Sequence, residues 1–477
     1  MNLNNINFIL SFGLFYILIW IIQIFYITRT NAVWNRIQLT LILVMSYFYI
    51  VMVDVKFCLC LVLVSLLTFF CGCLIEKTRN KWILIFGISV LIAVLAYFKY
   101  FNFFISSITH ILRMNRVTLN IMLPVGISFY IFSALSYIID LYKGKISCEK
   151  NILNFLLYLS FFPKFTAGPI VRSDYFFTQT RNYKGIDYKG LTIGIQIFVF
   201  GLFKKVVLAD HLGVFVSDVF RAPSAYNTST VILAAISYSL QIYFDFSGYS
   251  DMAIGISRIL GFDLKPNFNL PYIAYSMPDF WKRWHISLSS WFQDYLYIPL
   301  GGSRKGEIRT YLNLLAVQLV SGLWHGAGWT FVVWGMLHGI INCVNKVIGK
   351  RIDKLAKAID IVITFIIVTL LWVVFRADSF ENALQVWRGM FTIHTGINQP
   401  YVWSYFAIVC LVGATIAAVI HSKKEGCVDA KGNPVVNGFY PLLDLSKFGS
   451  LVLFFTFCGL TIVLGYFGNT AFIYGAF

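Results

Sequence analysis

Apolar residues in this chain gather into long runs, and polar residues are confined to the short intervals between them. The runs lie near residues 8–27, 37–53, 57–75, 82–106, 119–142, 191–208, 228–244, 310–323, 327–345, 358–375, 402–420 and 448–468. A helix needs about 20 apolar residues to cross the hydrocarbon core of a bilayer. Only helices and closed barrels satisfy the backbone there, and barrel strands are alternating segments of about 9–11 residues. The pattern therefore predicts an all-α integral membrane protein with about 11–12 transmembrane helices. Two further apolar segments, 152–168 and 279–300, are broken by Pro, Gly or charge and read as re-entrant or interfacial helices. With no tandem repeat and no Gly/Ser-rich or Pro-rich linker, residues 1–477 read as one membrane domain.

Composition agrees with a lipid solvent. The chain is 58% hydrophobic and 12% charged, whereas soluble domains carry roughly 25% charged residues. Disorder, a secreted disulfide scaffold and a cytosolic enzyme are excluded. The formal charge of +17 would suggest nucleic acid in a soluble protein, but its placement argues otherwise. If the N-terminus faces outward, the inward loops hold 29 Lys and Arg against 7 on the outer side, with Lys204 and Lys205 inside a span. That bias is the positive-inside signature. It predicts an outside N-terminus in the cell inner membrane and no nucleic-acid partner. The first 28 residues lack a basic n-region and an A-x-A site, so the first span is expected to remain in the mature protein. The nine cysteines contain no CxxC, and Cys58/Cys60 and Cys71/Cys73 point to different faces of a helix. They read as buried thiols, with no metal site and no bound cofactor expected.

Soluble catalytic signatures such as a P-loop, HExxH or GxSxG are missing from the sequence. The informative residues are polar ones at membrane depth, where ionisable groups are costly and commonly functional. In Ser321-Gly-Leu-Trp324-His325-Gly-Ala-Gly-Trp329, a histidine sits among glycines that leave room for a ligand or another backbone. An imidazole there can take and return a proton; packing between helices beside small residues accounts for it equally well. A second group, Pro278–Trp291, mixes three Trp with Lys282, Arg283 and His285, and is either an interfacial anchor or a cytosolic mouth attracting a phosphorylated acyl donor. In Gln241–Asp251, Asp245 and Asp251 either cap a helix at the membrane edge, or orient an imidazole or pair with Arg283. Asp140 reads as a boundary residue, His338 as packing, and Phe161–Arg172 as a re-entrant turn that brings Arg172 to the inner face.

Several stretches, in order along the chain, carry a resemblance. They are Tyr97–Phe104, Leu123–Tyr130, Phe161–Arg172, Tyr243–Asp251, Asp279–Ser289, Leu323–Phe331, Trp372–Ala377 and Phe472–Phe477. Together they resemble the membrane-bound O-acyltransferases, MBOAT, in the bacterial branch concerned with alginate and peptidoglycan O-acetylation. The resemblance implies helices forming a funnel, with the active histidine at His325 near its waist and the second family histidine at His285. It implies transfer of an acyl group, acetyl first, from a cytosolic thioester donor (acetyl-CoA or an acyl carrier) toward an extracytoplasmic polysaccharide. An exported acetyltransferase or accessory subunit is the implied partner. Lys282 and Arg283 are then expected to receive the donor, Trp324 and Arg172 to line the route, and Tyr474 to act as acyl carrier or aromatic anchor. The ending Phe472-Ile-Tyr-Gly-Ala-Phe477 is less aromatic than the family pattern. The rival readings are a transporter or flippase, which would show inverted repeats, and an acyltransferase acting on lipid.

Overall fold

A computed structural model describes residues 3–26, 31–115, 118–349, 357–424, 442–468 and 473. Secondary structure in these residues is helical, with one isolated bridge between Tyr226 and Ile397 and no named strand. Seven helices among them are long and apolar enough to cross a membrane: Val55–Thr78, Lys81–Ile111, Tyr188–Arg221, Thr228–Ile259, Trp329–Ile348, Lys357–Arg376 and Val402–Ile420. Shorter apolar helices occupy Ile6–Ile21, Ile127–Tyr142 and Phe448–Leu464. Apolar side chains on these helices remain exposed on the protein surface, among them Leu63, Val362 and Val409. In a bilayer such positions meet acyl chains and carry no hydration cost.

The expected runs resolve unequally. The 119–142 run becomes helical only from Ile127, after Pro124 and a left-handed Gly126. A proline disfavours the helical conformation in the residue before it, so apolar character alone does not carry a helix across that point. The 310–323 run is the helix Glu307–His325, whose buried Asn313 and Gln318 give it a polar side that packs against protein. The two segments broken by Pro, Gly or charge form short, interrupted helices. Ile152–Ser160 stops at Phe161, and a single turn, Phe162–Phe165, follows with Pro163 inside it. Residues 277–297 divide into Met277–Arg283, Ile286–Phe292 and a π-helical turn, Gln293–Tyr297.

The chain forms two compact units, Met1–Phe198 with Met252–Leu264, and Val199–Asp251 with Lys265–Phe477. The first is held by an aromatic core in which Phe155, Tyr158, Phe161, Phe176 and Phe262 are buried together. Asp140, near the end of Ile127–Tyr142, pairs with exposed Lys145 at 3.6 Å. Arg172 belongs to this unit, immediately before the helix Ser173–Arg181. The second unit contains both histidines of interest. Its centre is a block of rings in which Trp284, Trp334 and Trp372 are fully buried, with Trp372 in contact with both of the others.

Candidate active site around His325 and His285

His325 is the last residue of the helix Glu307–His325, and Gly326 beyond it is fully extended. Three residues later the helix Trp329–Gly349 begins and packs back along the first. The two backbones touch. A Cβ on Gly335 would lie 2.3 Å from the Gln318 carbonyl oxygen, and one on Gly322 would lie 2.2 Å from that of Phe331. Larger residues would force the helices apart, so the glycines set the position of the imidazole, which is 2% exposed.

The surroundings of that imidazole come from widely separated segments. Trp324, Trp334 and Phe375 meet its ring edge-on, with centroids at 5.0, 5.2 and 5.6 Å. The His285 ring lies 6.5 Å away, between Phe246 at 4.6 Å and Trp324 at 5.8 Å. Two buried imidazoles thus share one aromatic enclosure, with Trp324 touching both. Sequence spacing placed these histidines 40 residues apart; tertiary packing makes them neighbours.

His285 adopts a left-handed backbone, φ 45° and ψ 53°, at the break between Met277–Arg283 and Ile286–Phe292. For a non-glycine residue that conformation persists only where the surroundings over-determine it. Buried Asn267 does so here. Its carbonyl accepts from the Ile286 N–H at 2.9 Å, and its side-chain oxygen accepts from the Ser287 N–H at 3.2 Å. Nothing in the sequence pattern singled out Asn267.

Burial pushes the His285 imidazole down from 6.5 to about 3. The unfolded chain therefore binds a proton that the folded chain excludes. The resulting stability is complete above pH 6.5 and is lost as pH falls from there toward 3. Melting temperatures of the detergent-solubilised chain should decline over that interval, and His285→Gln should flatten the decline. An unchanged slope in the variant would show that the imidazole does not enter the site neutral.

The charged residues near His285 are arranged differently from the sequence expectation. Arg283 Nε donates to Asp279 Oδ2 at 3.0 Å and its Nη1 to the Asn269 carbonyl at 3.3 Å. Asp279 is in turn placed by Ser276, whose hydroxyl oxygen accepts the Asp279 N–H. Lys282 is exposed. Asp245 neither orients an imidazole nor pairs with Arg283, and neither Asp245 nor Asp251 caps a helix, because both lie inside Thr228–Ile259. Asp245 Oδ1 is 2.6 Å from Lys205 Nζ, which also reaches Asp210 at 2.7 Å. Asp251 pairs with Lys204 at 2.6 Å. Both lysines belong to a π-helical turn, Lys204–Ala209, within Tyr188–Arg221. Their presence inside an apolar run was the available signal, since intramembrane charges require partners. The second oxygen of Asp245 accepts the Ile473 N–H at 2.8 Å. Tyr474 lies outside the described residues.

His338 is fully buried against Trp334 and Trp281, with centroids at 4.6 and 5.1 Å, in the packing position its spacing suggested. Among the described residues no group of three His, Cys, Asp or Glu side chains converges as a metal site, and the eight cysteines are free thiols.

A multi-helical membrane protein with two imidazoles enclosed in its apolar interior defines a class suited to proton or acyl transfer away from water. The comparison with known proteins specifies which. Residues 42–381 match the membrane-bound O-acyltransferase family, MBOAT, and the chain belongs to it. It is an O-acyltransferase. It is 38% identical over 372 residues to the probable alginate O-acetylase AlgI of Pseudomonas aeruginosa, covering 76% of this chain and 71% of that protein. It is 37% identical over 388 residues to the peptidoglycan O-acetyltransferase of Helicobacter pylori, covering 74% and 73%. A more distant similarity, 30% over 293 residues, covers 54% of this chain and 69% of the teichoic acid D-alanyltransferase of Streptococcus thermophilus.

Proposed function

We propose that this enzyme moves an acyl group, acetyl in the first instance, from a cytosolic thioester across the inner membrane to hydroxyls of an extracytoplasmic polysaccharide. The carrying observation is the buried pair His325 and His285 in one aromatic enclosure. Relatives named for O-acetylation of alginate and of peptidoglycan support polysaccharide as the acceptor class. The basic loops support an outside N-terminus and a cytosolic donor entrance. In the chemical step, the His325 imidazole removes the proton of the accepting hydroxyl. The oxygen bonds to the thioester carbonyl carbon, the C–S bond breaks, and the sulfur leaves carrying the proton. A variant of the same scheme has His325 hold the acyl group briefly as a nucleophile. His285, with exposed Lys282 and the Asp279-held Arg283, receives the donor. An exported acetyltransferase or accessory subunit takes the acyl group on the outer side, with Tyr474 as a candidate carrier at that step.

The test compares cells with and without the chain. Acetate released by mild base is measured separately from exopolysaccharide, wall and lipid fractions. Loss from a polysaccharide fraction is expected. Loss confined to lipid would replace the acceptor, and no change in any fraction would overturn the reading.

A further inference from the structure

The enclosure around His325 has walls of two kinds. Trp324, Trp334 and Phe375 are 4%, 0% and 2% exposed, and Trp334 and Phe375 are fixed by the ring block behind them. Phe331 is different, being only partly buried. Its ring packs edge-on against Phe375 at 5.0 Å. It also lies directly on Gly326, the residue after His325, where an added Cβ would come within 2.2 Å of the ring. The adjoining residues Ala327 and Trp329 are exposed. Phe331 and Phe375 therefore close the side of His325 that adjoins the exposed linker, and Gly326 is what lets the Phe331 ring sit so close.

We propose that the Phe331–Phe375 pair determines the size of the acyl group handled at His325, admitting acetyl and rejecting longer chains. The inference rests on the acyl-transfer reading above and adds the specificity-determining residues. A group bonded to or approaching the His325 ring meets rings on several sides, and close-packed interiors leave little slack for extra methylenes. One methylene in an apolar pocket discriminates substrates by about 10–200-fold. Acetyl and butyryl differ by two. Phe331 is the wall that can be shortened without emptying the ring block.

The experiment uses membranes containing the full chain and supplies acetyl-, propionyl- or butyryl-CoA. The quantity read is thiol release that depends on His325, with His325→Ala membranes as the background. The ratio of acetyl to butyryl rates does not depend on how much folded enzyme is present. In the unsubstituted chain the ratio should be about 100 or more. Phe331→Ala should lower it at least about tenfold, and Phe375→Leu should shift it in the same direction. Ile308→Ala, at an exposed position at the start of the helix that ends in His325, should leave the ratio unchanged. Comparable acetyl and butyryl rates in the unsubstituted chain, or a ratio unmoved by both phenylalanine substitutions, would overturn the size inference alone. Failure of all three donors to give His325-dependent release would overturn the transfer reading and this inference with it.

Discussion

Replacing His325 with Ala should lower O-acyl transfer by about 10²–10⁴-fold, the range associated with a positioned general base. The chain should still accumulate in the membrane. His325 sits at a helix end against rings that pack on one another without it, notably Trp334 on Trp372 and Phe375 on Trp334. Those contacts persist when the imidazole is removed. The measurement is ester-linked acetate in polysaccharide fractions, normalised to chain abundance by immunoblot. Normal acetylation in the variant would remove His325 from the chemistry, whatever its enclosure looks like. Abolished acetylation with abolished accumulation would instead assign it to packing, and His325→Gln, which keeps a polar side chain there, separates the two.

The second large effect is structural. Lys205→Met should destabilise the chain by about 3–5 kcal/mol, the cost of stranding charge in a buried ion pair. Lys205 Nζ lies between Asp210 and Asp245, and all three side chains are no more than 5% exposed. Without the ammonium, two carboxylates face one another inside apolar helices, and the Asp245 contact with Ile473 loses its support. Fluorescence-detected size-exclusion melting should show a large drop in melting temperature or failure to accumulate. The triple substitution Lys205→Met, Asp210→Asn, Asp245→Asn removes the stranded charge and should recover most of the loss. A single variant that melts like the parent would mean that these groups are not charged in the folded state.

The two predictions differ in how they could be reached. His325 is conspicuous in the sequence because a histidine among glycines interrupts an apolar stretch. Lys205 shows there only as a charge inside an apolar run, and its choice of partners is not legible, because one of them, Asp245, lies on another helix. Asp245 shows the same difficulty from the other side. As a carboxylate in an apolar run it invites pairing with an imidazole or with Arg283, yet Lys205 holds it, and Arg283 is satisfied by Asp279 one helical turn away. Charge type can be read along a chain, but choice of partner depends on which helix faces meet.

The helices themselves were largely readable. Apolar runs of this length must close their backbone hydrogen bonds internally in lipid, so Val55–Thr78, Lys81–Ile111 and Val402–Ile420 follow from hydropathy and length. The same argument overextended the 119–142 run, because hydropathy does not register that Pro124 and Gly126 delay the helix to Ile127. The sequence by itself determined a lipid solvent, helical segments, basic clusters confined to particular loops and one conspicuous histidine, since each depends on local composition and the energetics of bare backbone in hydrocarbon. Only the tertiary structure decided that His285 joins His325, that Asn267 holds the His285 backbone, and that Phe375 packs on both His325 and Phe331. Those relations rest on contacts between segments tens of residues apart, and side-chain pairing at that range is set by helix packing, which no local pattern encodes.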